Sequence, residues 1–496
     1  MIRAQINGID GEFAEGITVL AAARELGFSI PTLCSDDRLD PVGACRMCLV
    51  EIKGRARETV SCTLALEDGM VVDTHSEPVE DARKWNLRML AGNYPADAFT
   101  KYPDKPFHKL ATDYGLTADD FDGDHSIAAD TSHTYINVDM SRCINCYACA
   151  RICADVQGQF VWHVVGRGEE SQILPDSFGA FGDSTCVSCG ACSDACPTGA
   201  LEDKTVIERG FPTTWTKTTC PYCGTGCEMN VGVRDDHVVQ VKPVMDAPVN
   251  YGHLCVKGRY AYDFVDANDR VTEPMIREDD GWLVVSWEEA IAFAAQKLKA
   301  LDSEFGRDSI AVLGSARATN EENYLAQKFT RVVLGTNNVD CCARVCHTPS
   351  AAAMKIMIGT GAMTNSFDDI EKAKTIILCG ANPTENHPIP GARIKQAVIK
   401  NGTKLIVIDP RKTELTKYAD VHLQLRPGTN ILMFNALAYT IIDEGLTDPE
   451  FIRTRVTEYD EFREFVADYS PEAVAERCGV DAALIRKAAR IYATNT

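Results

Sequence analysis

Sixteen of the 21 cysteines in this 496-residue chain fall into four groups of four, and no other feature constrains the fold as tightly. The groups are Cys34, Cys45, Cys48, Cys62; Cys143, Cys146, Cys149, Cys153; Cys186, Cys189, Cys192, Cys196; and Cys220, Cys223, Cys227, Cys255. Met1-Ile2-Arg3 leads into Ala4 to Gly8 without the long apolar stretch of a signal peptide, and there is no run of about 18 apolar residues. The expected location is therefore the cytoplasm, without membrane insertion. Thiols stay reduced there and disulfides are rare, so four groups of thiols imply four metal centres. Seventy-one acidic residues against 50 basic ones give a net charge of −21, which repels nucleic acid and excludes it as the expected partner. The length admits about three to four domains.

Spacing separates the groups chemically. Gaps of 10, 2 and 13 residues in the first suit a two-iron cluster held by one loop-rich sheet. A zinc ribbon wants two close pairs, and Cys34 and Cys62 are both solitary. The second and third groups share gaps of 2, 2 and 3, an internal repeat, and Pro197 follows the third. This is the run of a two-cluster bacterial ferredoxin, in which the fourth cysteine crosses over. Cys153 should then complete the four-iron centre of Cys186, Cys189 and Cys192, and Cys196 that of Cys143, Cys146 and Cys149. In the fourth group, Cys220-Pro221-Tyr222-Cys223-Gly224-Thr225-Gly226-Cys227 puts three ligands on a Gly-rich turn, with Cys255 27 residues on. Zinc could sit there, but beside three iron–sulfur centres a further four-iron cluster extends an electron wire. Cys341, Cys342, Cys379 and Cys478 read as small buried apolar residues.

The rest of the pattern gives an α+β and α/β multidomain chain. Residues 1–78 alternate apolar and polar over Ile2 to Ile6 and Val19 to Leu26, with Gly8-Ile9-Asp10-Gly11 as the turn between the first two segments, a small mixed sheet with one helix. Residues 79–135 open with a helical pattern from Ala82 to Ala91 and then read as connection. The ferredoxin repeat occupies 136–210 and the fourth group 216–275. From 276 to 496 short apolar strands (Ser309 to Gly314, Thr375 to Gly380, Lys404 to Asp409) alternate with helical stretches (Glu288 to Leu301, Glu321 to Leu334, Ala392 to Lys400, Ile431 to Glu444, Asp481 to Ala493). That alternation predicts a doubly wound parallel sheet, with ligands at the carboxyl ends of its strands.

Cys220 to Cys227, together with Leu254-Cys255-Val256-Lys257-Gly258-Arg259, closely resembles the opening of the molybdopterin-dependent oxidoreductases. The first 210 residues resemble the electron-input region shared by complex I large subunits, iron hydrogenases and NAD- or ferredoxin-linked formate dehydrogenases, with a β-grasp two-iron domain at the front. Asn337-Asn338-Val339-Asp340-Cys341-Cys342-Ala343-Arg344-Val345-Cys346-His347 is similar to the active-site loop of formate dehydrogenases. The resemblance implies a catalytic subunit that interconverts formate and carbon dioxide. Its cofactors would be one two-iron cluster, three four-iron clusters and molybdenum or tungsten held by two molybdopterin guanine dinucleotides. It implies Cys346 as the metal ligand, His347 as its catalytic neighbour and Lys257 between the fourth cluster and the pterin. A soft thiolate suits a metal otherwise held by dithiolene sulfurs, and a group titrating near neutrality suits proton transfer.

Strand-end residues are the expected pterin contacts: Gly380, Asn382 and Glu385 after one strand, Asp409 and Arg411 after the next, and Gly428 and Thr429 before a helix whose amides favour anions. His387 and His422 receive no role. Relatives commonly carry a His-plus-three-Cys cluster before the ferredoxin repeat, but Asn93-Tyr94-Pro95-Ala96-Asp97-Ala98 stands there, so that cluster is expected to be absent. The family's catalytic subunits also continue well past residue 496. The resemblance therefore implies that its substrate arginine and second pterin-capping domain come from a second polypeptide or a longer product. The expected electron partner is a flavin- or iron–sulfur-bearing subunit docking on 1–78 or on the ferredoxin repeat. A non-catalytic subunit like that of complex I, and another enzyme such as a nitrate reductase, are the alternatives.

Overall fold

The computed structural model describes residues 1–121, 123, 127–279 and 281–495, so Thr496 lies outside it. The chain divides into two units, Met1–Ala261 with Ile370–Thr496, and Tyr262–Asp369. Among the described residues no helix is long and apolar enough to cross a membrane.

The first unit begins with a five-stranded mixed sheet. Its strands run Ile9–Phe13, Ile2–Ile6, Val71–Asp73, Leu49–Ile52 and Thr59–Val60 in spatial order. The turn of the first hairpin is Asn7-Gly8, both at positive φ (51° and 82°), the backbone that matches strand twist. Ile9, Asp10 and Gly11, expected in that turn, already pair with Ile6, Gln5 and Ala4. Val19–Glu25 is the helix of this domain, capped by the Thr18 hydroxyl, which accepts from the Ala21 amide. It buries Val19, Leu20, Ala22 and Ala23, a helical stripe rather than strand alternation.

The linker has structure of its own: its described residues up to Phe121 contribute to a packed core. The helix Glu77–Ala91 starts earlier than its apolar pattern suggests because Pro78 sits in its first turn, and Ala96–Lys101 and Pro106–Asp113 follow. Leu87, Ala91, Tyr94, Ala98, Phe107 and Phe121 share one core with Cys34, Cys45 and Met47 on one side and Cys146 and Ala148 on the other. Full burial of a Leu or Phe side chain such as Leu87 or Phe107 is worth about 1.5–3 kcal/mol. The first sheet and the ferredoxin repeat are thus joined through a common interior. His108 is buried in it, with Nδ1 at 2.5 Å from the Tyr102 carbonyl and Nε2 at 2.8 Å from the Tyr94 hydroxyl.

In the ferredoxin region Ile136–Val138 pairs antiparallel with Leu201–Asp203, clamping both ends of the repeat. A three-stranded antiparallel sheet (Thr214–Thr219, Glu228–Arg234, His237–Pro243) carries the fourth cysteine group. Further on, Thr375–Cys379, Lys404–Ile408 and Val421–Leu423 form a parallel sheet in that order, with the helix Pro388–Asn401 crossing between the first two.

The second unit has its own parallel pair, Val312–Gly314 with Val339–Cys341, and a hairpin of Met275–Glu278 with Gly281–Val284. Among the described residues the parallel strands expected in one doubly wound sheet therefore lie in two sheets, one per unit. Alternation of strand and helix reports that strands are parallel, but not which strands hydrogen-bond. In the second unit only Ile310 is a buried hydrophobic side chain among the described residues.

Candidate functional site

All four thiols of the first group are buried. The loop before Leu49–Ile52 turns amides inward: Leu33 N donates to Cys45 Sγ (3.4 Å) and Cys45 N to Cys34 Sγ (3.5 Å). The Cys45 thiol donates to Cys34, and the Cys62 thiol to Cys48, holding each acceptor's pKa down at about 6. The donors are pushed up correspondingly. Two touching pairs of thiols, with amides aimed at sulfur, are a donor set that fits a two-iron cluster.

The repeat interlocks. A small cavity is lined by Cys143, Cys146, Cys149 and Cys196, with Tyr147 and Pro197 also on its wall. Burial raises the Cys143 thiol to about 11 and drives Cys146 and Cys149 higher, and negative charge on Cys196 adds to each. Burial likewise raises Cys186 to about 11 and Cys189 to about 12, and it raises Cys192 too; here the added negative charge comes from Cys153. Each trio is thus accompanied by the fourth cysteine of the opposite run. Four crowded, dry thiols resist deprotonation unless a cationic core compensates them, which is the chemistry iron supplies, so these residues fit four-iron clusters.

The fourth group bridges two elements. Cys220 N donates to the Cys227 carbonyl (2.8 Å) across the turn, and Cys255 caps the helix Val256–Tyr260. Burial, then charge on Cys220, Cys223 and Cys255, raises Cys227 to about 12, so the four thiols face one another. Lys257, on that helix, donates from Nζ to the Glu385 carbonyl at 2.6 Å. The expected lysine and the expected first pterin loop are therefore in direct contact.

The remaining pterin candidates stand at the carboxyl ends of three adjacent parallel strands. Gly380 follows the first strand at φ +57°, and its amide donates to the Ile408 carbonyl (2.9 Å). Asn382 is buried, and its Oδ1 accepts from the Thr384 hydroxyl (2.8 Å). Asp409 is buried after the second strand; its carboxylate accepts from the Arg411 amide (2.8 Å), while the Arg411 side chain extends into solvent, 65% exposed. Gly428 (φ +85°) and Thr429 follow the third strand and open the helix Asn430–Asp443, whose first amides have no side-chain cap. His422, given no role, holds the Asp409 carbonyl through Nε2 (2.9 Å).

In the second unit, Val339–Cys341 leads directly into the short helix Ala343–Cys346, and His347 precedes Thr348–Ile358. Arg344 braces this turn on Asp340 (2.6 Å). Cys346 is exposed. Cys342 is exposed as well, and Cys341 and Cys379 are only half-buried, so of the four cysteines expected to be small core residues only Cys478 is fully so. Flanking apolar residues in a strand-to-helix turn do not decide which way one side chain faces.

Sequence reasoning missed Arg151, which lies among the ferredoxin cysteines and donates from Nη1 to the Cys34 carbonyl (3.0 Å), and it gave no role to Arg259, which is buried at the end of the Cys255 motif. A single arginine beside a cysteine carries no spacing signal.

Known proteins align with this layout domain by domain. Residues 1–77 match a 2Fe-2S iron-sulfur cluster binding domain, and 133–202 the ferredoxin-like domain of NADH-quinone oxidoreductase subunit 3. Residues 213–267 match the molybdopterin oxidoreductase Fe4S4 domain, and 270–491 the molybdopterin oxidoreductase family. The chain is 33% identical to the probable oxidoreductase YjgC of Bacillus subtilis, over 96% of this chain and 53% of that protein. It is 33% identical to the NADPH-Fe(3+) oxidoreductase subunit alpha of Geobacter sulfurreducens, over 99% of this chain and 58% of that one. Over 55% of this chain and 40% of the other, it is 44% identical to the F420-dependent formate dehydrogenase subunit alpha of Methanocaldococcus jannaschii. The chain thus spans about half the length of the curated relatives it matches.

Proposed function

The chain belongs to the molybdopterin oxidoreductase family, and from that premise we propose that it is the catalytic subunit, or the N-terminal part of one, of a formate dehydrogenase. The similarity to the F420-dependent formate dehydrogenase subunit alpha carries formate over other substrates, and Cys346-His347 supplies the residue types that reaction needs. When bound, molybdenum or tungsten on two pterin guanine dinucleotides supplies the two-electron chemistry.

Around it this chain's own groups have distinct tasks. Cys346 offers a thiolate to the metal, and His347 takes the proton released from formate. Gly380, Asn382 and Glu385 present one strand end to the pterin, and Lys257 spans from that loop to the cluster of Cys220, Cys223, Cys227 and Cys255. Asp409 accepts from nucleotide donors, Arg411 reaches phosphate, and the amides after Gly428 and Thr429 favour its anionic oxygens. The Cys220 group, the two ferredoxin-type groups and the group of Cys34, Cys45, Cys48 and Cys62 would hold the clusters that supply one-electron transfer, and a flavin- or iron–sulfur-bearing subunit would dock on residues 1–78 or on the ferredoxin repeat.

Formate-dependent dye reduction, measured with molybdenum and tungsten content, tests this reading. Turnover with metal bound supports it. Metal-free protein that carries electrons only between partner subunits would favour the second reading, an electron-transfer subunit without substrate chemistry, which the similarity to an NADPH-Fe(3+) oxidoreductase subunit keeps open.

A further inference from the structure

The ferredoxin repeat provides its own internal control. Tyr147 and Gly190 occupy the same place in the two runs, each one residue after a central cysteine and each capping a short helix at positive φ, 60° and 73°. Because Tyr147 tolerates that backbone, φ alone does not require glycine at 190. Space does. A Cβ on Gly190 would lie 2.1 Å from Nε of Arg259, 2.2 Å from its Cδ and 2.7 Å from the Tyr260 hydroxyl. Where the first run carries a tyrosine side chain, the second makes room for a guanidinium that comes from the helix of the fourth cysteine group.

Arg259 is 1% exposed. Nη1 and Nη2 form a fork on Asp194 (2.5 and 2.9 Å), and Nη2 also reaches Asp203 (3.0 Å). Asp203 is held in turn by the Tyr260 hydroxyl (2.7 Å) and Gln240 (2.9 Å). Nε, the atom above Gly190, is buried and has no hydrogen-bond partner among the described residues. Buried donors without an acceptor are rare and call for explanation. The acceptors that belong beside residue 190 are the sulfurs of an iron–sulfur centre. Around the twin centre Lys105 meets Glu202 at 2.6 Å and Arg142 meets Asp139 at 2.9 Å, and Arg142 Nε too is a buried atom without a hydrogen-bond partner among the described residues; the difference is that Tyr147 stands where Gly190 lets Arg259 pass.

We propose that Arg259 makes the two ferredoxin-type centres unequal: its guanidinium, passed over Gly190, offers Nε–H to the sulfurs of the centre of Cys186, Cys189, Cys192 and Cys153 and holds that centre at a higher reduction potential than its twin. Cluster potentials follow net charge and hydrogen bonds to sulfur; Asp194 and Asp203 offset the charge of Arg259, so the Nε–H bond to sulfur is what stabilises the reduced, more negative state. Arg259 sits four residues after Cys255, so the residue that tunes the second centre is tethered to the centre that feeds it. This inference rests on the cluster reading above and adds a positioning and tuning residue to it.

The test is an EPR-monitored redox titration of the full chain under anaerobic conditions, with iron analysis. The signal of the relevant centre is identified by its change in Cys189→Ser. Arg259→Gln should lower that centre's reduction equilibrium by roughly tenfold, ~59 mV for a one-electron couple, and leave the centre of Cys143, Cys146, Cys149 and Cys196 in place. Gly190→Ala, which keeps the charge but displaces Nε, should shift the same centre in the same direction by less. Arg259→Lys should recover part of the loss. Should Arg259→Gln lose iron because Asp194 and Asp203 are left unpaired, Gly190→Ala decides. An unmoved potential in iron-replete Gly190→Ala and Arg259→Gln overturns the role of Arg259 alone. An unmodified protein that takes up no four-iron centres overturns the cluster reading beneath it.

Discussion

The two units surround their cysteines in opposite ways. In Met1–Ala261 with Ile370–Thr496 the cysteine groups lie in finished surroundings: Cys34, Cys45, Cys48 and Cys62 are buried in a sheet domain, and Cys146 lies in a core shared with that domain. In Tyr262–Asp369, Cys346 is exposed, Trp287, Ile291, Leu325 and Val333 are each more than half exposed, and only Ile310 is a buried apolar residue among those described. Thiols that hold clusters need dryness and neighbouring thiols, and local packing supplies both. On the proposed reading Cys346 needs a defined position, and the strand-to-helix turn braced by Arg344 and Asp340 offers one.

The sharpest way to break this contrast is to remove one thiol from each unit. Cys346→Ala should abolish formate-dependent dye reduction while iron stays at about 14 atoms per chain, the sum expected for one two-iron and three four-iron clusters. Cys192→Ser should lose about four iron atoms instead, with unfolding at lower temperature. Loss of iron in Cys346→Ala would mean the two kinds of thiol are not separable.

Core truncation sharpens the same contrast through stability. Leu423, fully buried in the parallel sheet, should cost about 2–5 kcal/mol on replacement by Ala, whereas Leu325→Ala, at 60% exposure in the second unit, should stay within about 0.5 kcal/mol. Urea unfolding of the two variants measures this. Equal losses would show that the second unit has a core of its own weight. A smaller effect is expected at the join between the first sheet and the repeat: Arg151→Ala leaves the Cys34 carbonyl without its donor and should cost about 1–2 kcal/mol.

The smallest effect is a pH slope confined to the first unit. Burial lowers the pKa values of His108 and His133, and that of His253 to about 3. The unfolded chain therefore takes up protons first as pH falls below about 6.5, so these groups withdraw stability on acidification and restore it on return to neutrality. Melting temperature followed from pH 7 down to about 5 should fall, and His108→Asn should flatten part of that slope. An unchanged slope would place the proton uptake on other groups.

Much of this was legible in the sequence wherever a residue's job is expressed as spacing. The crossed pairing of Cys153 and Cys196 follows from gaps of 2, 2 and 3, and the strand ends at Gly380 and Asp409 from short apolar runs closed by polar residues. What was hidden depends on contacts distant in sequence. Phe107 and Phe121 look like loop residues until Tyr94 and Cys146 are found beside them. Two parallel strands in Tyr262–Asp369 give the same pattern whether or not they join the sheet at Thr375–Cys379. Arg259 had one trace, the glycine that stands at 190 where the repeat has Tyr147.

The interlocked repeat also bears on how such a chain matures. Cys143 and Cys196 stand around one cavity although 52 residues separate them, and the hairpin Trp162–Val165 with Gln172–Pro175 lies between. An iron core inserted there staples the two ends of that loop, and the core at Cys153 and Cys186 staples it a second time, each cross-link removing freedom from the unfinished chain. On the proposed cluster reading the duplicated halves would not be interchangeable spare parts: neither run could assemble its centre until the other had been synthesised and brought alongside, so iron loading in this region would be a late event in biogenesis that seals both halves together.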